Sequence, residues 1–229
     1  MIGRSLTLLV YLLCRCCCCV GQPSGTVSSS GDGVPDAWKV NGVDVTYANG
    51  TKEHMDLKGM GASPGHKDIF IYVAWMASQD HTHRPLPAAV EIVRKAFSDA
   101  PLSNADGSTG VAVHFIYAKA ALPESAILGS TDAQGNYNWS AFDQLKSKVL
   151  PKPLDGIFYF VLFAHTFDSA QTSGITKTIP GRDFIVSLGG FTDQVGDTGE
   201  QAGTLMHELG HALGLRHGGS EDLNSLLSG

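Results

Sequence analysis

Residues 198–217 read TGEQAGTLMHELGHALGLRH, and this stretch decides the last element of the fold. Leu205, Met206, Leu209, Ala212 and Leu213 recur at helical spacing and form a stripe able to bury against a sheet. Thr198 with Gln201 three residues on has capping-box spacing, and Asp197 is the other residue able to start the helix. Gly214 marks the end, because glycine accepts the left-handed conformation that terminates helices. The remaining face carries His207, Glu208 and His211. Histidines four apart lie one above the other, so both imidazoles can reach one Zn²⁺ at about 2.0–2.1 Å. Glu208 projects roughly 100° round from His207, beside such an ion rather than on it. A sharp turn at Gly214 would bring His217 to the same place. Three neutral imidazoles with the fourth position open make a catalytic rather than a structural zinc site, with Glu208 as general base.

Outward from this helix, residues 68–75 (DIFIYVAW) and 156–164 (GIFYFVLFA) are nearly unbroken apolar runs, predicted as strands buried on both faces. Residues 111–117 predict a further strand, and 174–179 and 183–188 two shorter ones separated by Pro180-Gly181. A helix is expected over 88–98, where Val90, Val93 and Phe97 recur and Ile92 widens the apolar face. A shorter helix over 141–149 is ended by Pro151. Strand, helix and strand, then more strands before a last helix, predict an α+β domain with one mixed sheet and helices packed on it.

The chain has 229 residues, 43% hydrophobic and 17% charged, which suits one well-buried domain. Arg4 followed by the apolar residues 6–13 reads as a signal peptide over 1–21, so a secreted, extracellular protein is expected. Removing Arg4 and Arg15 from a formal charge of −6 leaves −8. That balance, with no basic run, argues against nucleic acid as a partner, and the apolar run is too short for a stable membrane span. All five cysteines, Cys14 and Cys16 to Cys19, lie in this leader, so the mature protein would hold no thiol, disulfide or Cys-ligated zinc. Residues 22–33 read as a flexible linker and 34–229 as the catalytic domain. Asp32, Asp36 and Asp44 offer a partial oxygen set for Ca²⁺, short of the six to eight ligands it takes, so a plain turn is the first reading.

The eleven residues from His207 to His217 resemble the extended zinc signature of the metzincin metalloproteases. The segments 31–75 and 179–219 are also similar to secreted bacterial-type zinc proteases of that clan. The resemblance implies a zincin-like, mostly parallel, twisted five-stranded sheet with two long helices, the active-site helix lying near the C-terminus. It also implies a cleft beside an antiparallel edge strand, here 174–179, and hydrolysis of protein or peptide substrates. Metzincins carry a methionine turn downstream of the third histidine, and residues 218–229 contain no methionine. A missing C-terminal subdomain is therefore expected, with a zinc-binding remnant that recognises peptides as the alternative function. Elsewhere, His81 and His83 with Asp80 on a proline-flanked loop read first as surface residues, with a second metal site the lesser alternative. His114, alternating with apolar neighbours, reads as a structural histidine. His165 follows a buried strand with no spacing that assigns it, and His54 and His66 have no partner pattern.

Overall fold

The computed structural model describes residues 27–168 and 172–217. The expected leader with its cysteines, and the segment 218–229, lie outside the described residues. The fold is α+β, with a mostly parallel sheet and four α-helices among the described residues. A hairpin of β1 (Val43–Thr46) and β2 (Lys52–Met55) follows the short helix α1 (Asp36–Asn41). The main sheet is formed by β3 (Asp68–Ala77), β4 (Ala112–Tyr117), β6 (Tyr159–Ala164), β7 (Gly174–Thr176) and β8 (Asp183–Ser187), in the order β4-β3-β6-β8-β7. Only β7, at the edge, runs antiparallel to its neighbour. A sixth, two-residue strand, β5 (Leu122–Pro123), pairs with the end of β3.

Every residue of β3 from Asp68 to Met76 is buried, as are Phe160 to Ala164 of β6, which accounts for their unbroken apolar sequence. Helix α2 (Pro87–Ser98) starts on a proline, which fits the first helical position, and buries Ala89, Val90, Val93 and Phe97. Ile92, expected to widen that face, is instead 46% exposed, because the buried stripe runs through Val90, Val93 and Phe97. Helix α3 (Ser140–Val149) covers part of the sheet through Phe142, which packs edge-on against Phe160. Tyr72 Oη donates to the Val149 carbonyl at its end. Helix α4 (Thr198–Ala212) packs against α2, β7 and β8.

Residues 27–33, expected as the end of a flexible linker, are fastened to the domain. Ser30 is buried, and its hydroxyl accepts from Lys39 Nζ at 3.0 Å. Lys39 is itself fully buried and donates to Asp32 Oδ2 at 2.5 Å and to the His66 carbonyl at 2.7 Å. Asp68 Oδ2 lies 2.8 Å from the same ammonium as an ion pair. A buried lysine needs this many partners to offset its lost hydration. The three carboxylates considered for Ca²⁺ do not converge. Asp32 serves Lys39, Asp36 accepts from Ser29, and Asp44 pairs with His54 in the β1–β2 hairpin.

Candidate metal centre

Helix α4 opens with a capping box, but on Asp197 and Glu200 rather than on Thr198 and Gln201. The Asp197 carboxylate accepts from the Glu200 N–H at 2.8 Å, and Glu200 accepts from the Asp197 N–H at 2.8 Å. Gln201 is buried instead, accepting from the Leu86 N–H at 2.8 Å and donating to the Val195 carbonyl. That single side chain ties the start of α2 to α4.

The other end of α4 closes as a Schellman turn. Gly214 has φ 102°, its N–H bonds the His211 carbonyl at 2.8 Å, and the Leu215 N–H bonds the Gly210 carbonyl at 2.9 Å. The Leu215 side chain folds back over Gly210, the hydrophobic contact that accompanies this turn. The reversal brings His217 back over the helix, as the spacing predicts. The Nε2 atoms of His207, His211 and His217 form a near-equilateral triangle with sides of 3.0, 3.1 and 3.1 Å. The Nδ1–H of His211 donates to the Leu215 carbonyl at 2.6 Å, which sets its tautomer and leaves Nε2 as the free lone pair.

These side chains fit a metal ion. Each nitrogen faces two others, and one proton per imidazole can satisfy only one such contact. Bonds of about 2.0–2.1 Å at tetrahedral angles hold nitrogens about 3.3–3.4 Å apart, close to the separations seen. Burial and the two neighbouring imidazoles both push the His207 pKa down, so the ring favours its neutral, ligating form.

Glu208 is only 4% exposed and lines the same cleft as the three histidines. Its Oε2 accepts from Thr176 Oγ1 of β7 at 2.7 Å, and the same hydroxyl reaches the Glu208 carbonyl at 3.0 Å. Burial raises the Glu208 pKa, and the Thr176 hydrogen bond opposes part of that rise. The carboxylate lies so close to β7 that a Cβ on Gly174 would meet its Cγ at 2.7 Å. A cleft of about 480 Å³ opens here, lined by Gly174, Thr176, His207, Glu208, His211 and His217 among others. Beside it β7 is the edge of the sheet among the described residues. Ser173 and Lys177 bond to β8, so the alternation of an antiparallel pair turns the N–H and C=O groups of Gly174 and Thr176 away from it.

A second group able to hold a metal, the lesser reading of His81 and His83, includes Glu124 and His165 and does not include Asp80. His81 and His83, read first as surface histidines, converge with Glu124 and His165, and His83 is 3% exposed. The i, i+2 spacing was visible, but Glu124 and His165 come from distant segments with no spacing signal. Burial brings the His83 pKa down to about 4, leaving the ring uncharged near neutrality. His114 is structural: its Nε2–H donates to Asp68 Oδ1 at 2.7 Å and its ring stacks on Phe70. The His66 ring bonds the Lys67 carbonyl through Nδ1 at 2.9 Å. No described helix is long and apolar enough to cross a membrane. No family model matches the chain, and no curated protein matches it.

Proposed function

We propose that the protein is a zinc-dependent endopeptidase of the metzincin kind, cleaving protein or peptide substrates outside the cell. The observation that carries this reading is the convergence of three Nε2 atoms beside the buried carboxylate of Glu208, in a cleft edged by β7. The sheet order, with one antiparallel edge strand against the histidine-bearing helix, supports taking the fold as zincin-like. His207, His211 and His217 would hold the ion. When bound, zinc supplies Lewis acidity, lowering the pKa of a water towards about 7 and polarising the scissile carbonyl.

The chain's own groups do the rest. Glu208, raised in pKa by its burial, accepts the water's proton and passes it to the leaving amine. Thr176 occupies Oε2, so Oε1 is the oxygen left to exchange protons. The outward N–H and C=O groups of Gly174 and Thr176 pair with an extended substrate as an added strand, which aligns its carbonyl with the histidines.

The test is zinc content by mass spectrometry together with cleavage of an unfolded general protein substrate, for the protein and its Glu208→Ala variant. Zinc in both proteins, with chelator-sensitive cleavage in the first alone, is the expected result. A folded protein that takes up no zinc overturns the reading. Zinc without cleavage in either protein removes the catalytic half and leaves a peptide-binding zinc protein.

A further inference from the structure

We infer that the described domain holds a second divalent transition metal, most naturally Zn²⁺, in a closed structural site made by His81, His83, Glu124 and His165. Glu124 Oε2 lies 2.9 Å from His81 Nε2 and 3.0 Å from His83 Nε2. His83 Nε2 is also 3.2 Å from His81 Nε2 and 3.3 Å from His165 Nδ1. The His165 nitrogen and Glu124 Oε1 are 3.9 Å apart. These separations bracket the roughly 3.3–3.4 Å edge of a tetrahedron built on bonds of about 2.0–2.1 Å. Hydrogen bonding alone leaves the group unsatisfied, since His83 Nε2 can carry one proton and faces three polar atoms. A cation satisfies all four ligands at once, and the carboxylate offsets half of its charge.

The elements that supply the ligands meet at one end of the parallel strands. Chain reversal after β3 forms a turn in which the Ser78 N–H bonds the His81 carbonyl and the His83 N–H bonds the Met76 carbonyl. That turn sets His81 and His83 on the same side of the loop. Glu124 immediately follows β5, its N–H bonded to the Ala77 carbonyl, and His165 immediately follows β6. Ser78 Oγ lies 3.3 Å from His81 Nδ1, an outer partner that leaves Nε2 turned towards the cluster. Four protein ligands leave no open position, so this metal fastens structure rather than activating water. It also clamps the segment leading through Arg84 and Pro85 to Leu86, whose N–H is held by Gln201 on α4.

The site shares no ligand with the His207 triangle, so each can be emptied separately. Zinc per chain is measured by mass spectrometry on the whole protein, on His207→Ala/His211→Ala and on His81→Ala/Glu124→Gln. Circular dichroism is recorded alongside to show that each is folded. The expected result is that either double variant retains zinc at the other site and binds half as much as the parent. Cobalt loaded into His207→Ala/His211→Ala gives the intense visible absorption of a tetrahedral ion, and Glu124→Gln, an isosteric change, abolishes it. Zinc raises the Tm of His207→Ala/His211→Ala by roughly 5–10 °C at a hundredfold excess over its dissociation constant. A folded His207→Ala/His211→Ala protein that binds no zinc or cobalt overturns the second site. Equal zinc in the parent and in folded His81→Ala/Glu124→Gln overturns it as well. Failure of the first site alone appears differently, as zinc retained by the parent and lost only on changing His81 and Glu124.

Discussion

Glu208 is constrained from two sides at atomic distance. Thr176 fixes one carboxylate oxygen, and Gly174 leaves the space that its side chain occupies. Glu208→Gln keeps this shape but cannot take a proton, so peptide cleavage should fall by about 10²–10⁴-fold with zinc content unchanged. Gly174→Ala places a methyl 2.7 Å from Glu208 Cγ and must displace the carboxylate or the strand. It should lower turnover while sparing zinc, and cost about 1–3 kcal/mol of stability by overpacking, read from denaturant melts. Lys39 carries a different residue-scale prediction, because it is buried between Asp32 and Asp68. Lys39→Met leaves two carboxylates without their cation and should destabilise the domain by about 3–5 kcal/mol. A loss below about 1 kcal/mol would show that water replaces the ammonium without penalty.

At the scale of the element, α4 is a helix whose two ends do different work. The Asp197–Glu200 box satisfies orphan N–H groups at the opposite end of α4 from His211, so Asp197→Ala should cost about 1 kcal/mol and leave any zinc affinity unchanged. Gly214 sits at φ 102° and its turn delivers both His217 and the Leu215 carbonyl that orients His211. Gly214→Ala should cost a similar 1–2 kcal/mol but also weaken zinc binding by about 10–100-fold, measured by chelator competition. Equal zinc affinity in the two variants would show that the turn is not what positions the ligands. The sequence leaves the cap open between Asp197 and Thr198, because both offer a partner three residues on. Only the entry geometry of the preceding chain distinguishes them: the Asp197 backbone is extended, as an N-cap must be.

Over the whole molecule, the proposed metal sites would couple binding to folding, most strongly where the ligands His81, His83, Glu124 and His165 come from distant segments. Stripping metal should lower Tm, and zinc should restore it with a concentration dependence set by its affinity. Protons compete with a metal for imidazole nitrogen, so zinc uptake should decline as the solution is made acidic. Because the His207 pKa is pushed down, competition at that ligand sets in at lower pH than for an ordinary histidine. Zinc titrations at stepped pH check this, and uptake that weakens on raising the pH from 5 to 7 would contradict it.

Much of this was legible along the chain, for physical reasons. Strands β3 and β6 are buried on both faces, so their sequences admit almost nothing but apolar residues. Helical periodicity, a terminating glycine and histidines four apart are local patterns, and they determined α4 together with the triangle of His207, His211 and His217. Short-range order also set the alternation of strands and helices. What only the tertiary structure decided are the contacts that join remote segments. Lys39 reaches Asp32, Asp68 and the carbonyl of His66, and Gly174 and Thr176 cradle Glu208 from 32 or more residues away. The grouping of His81 and His83 with Glu124 and His165 belongs here too. No periodicity links such residues, because their proximity follows from the order in which β3, β5 and β6 lie side by side in the sheet.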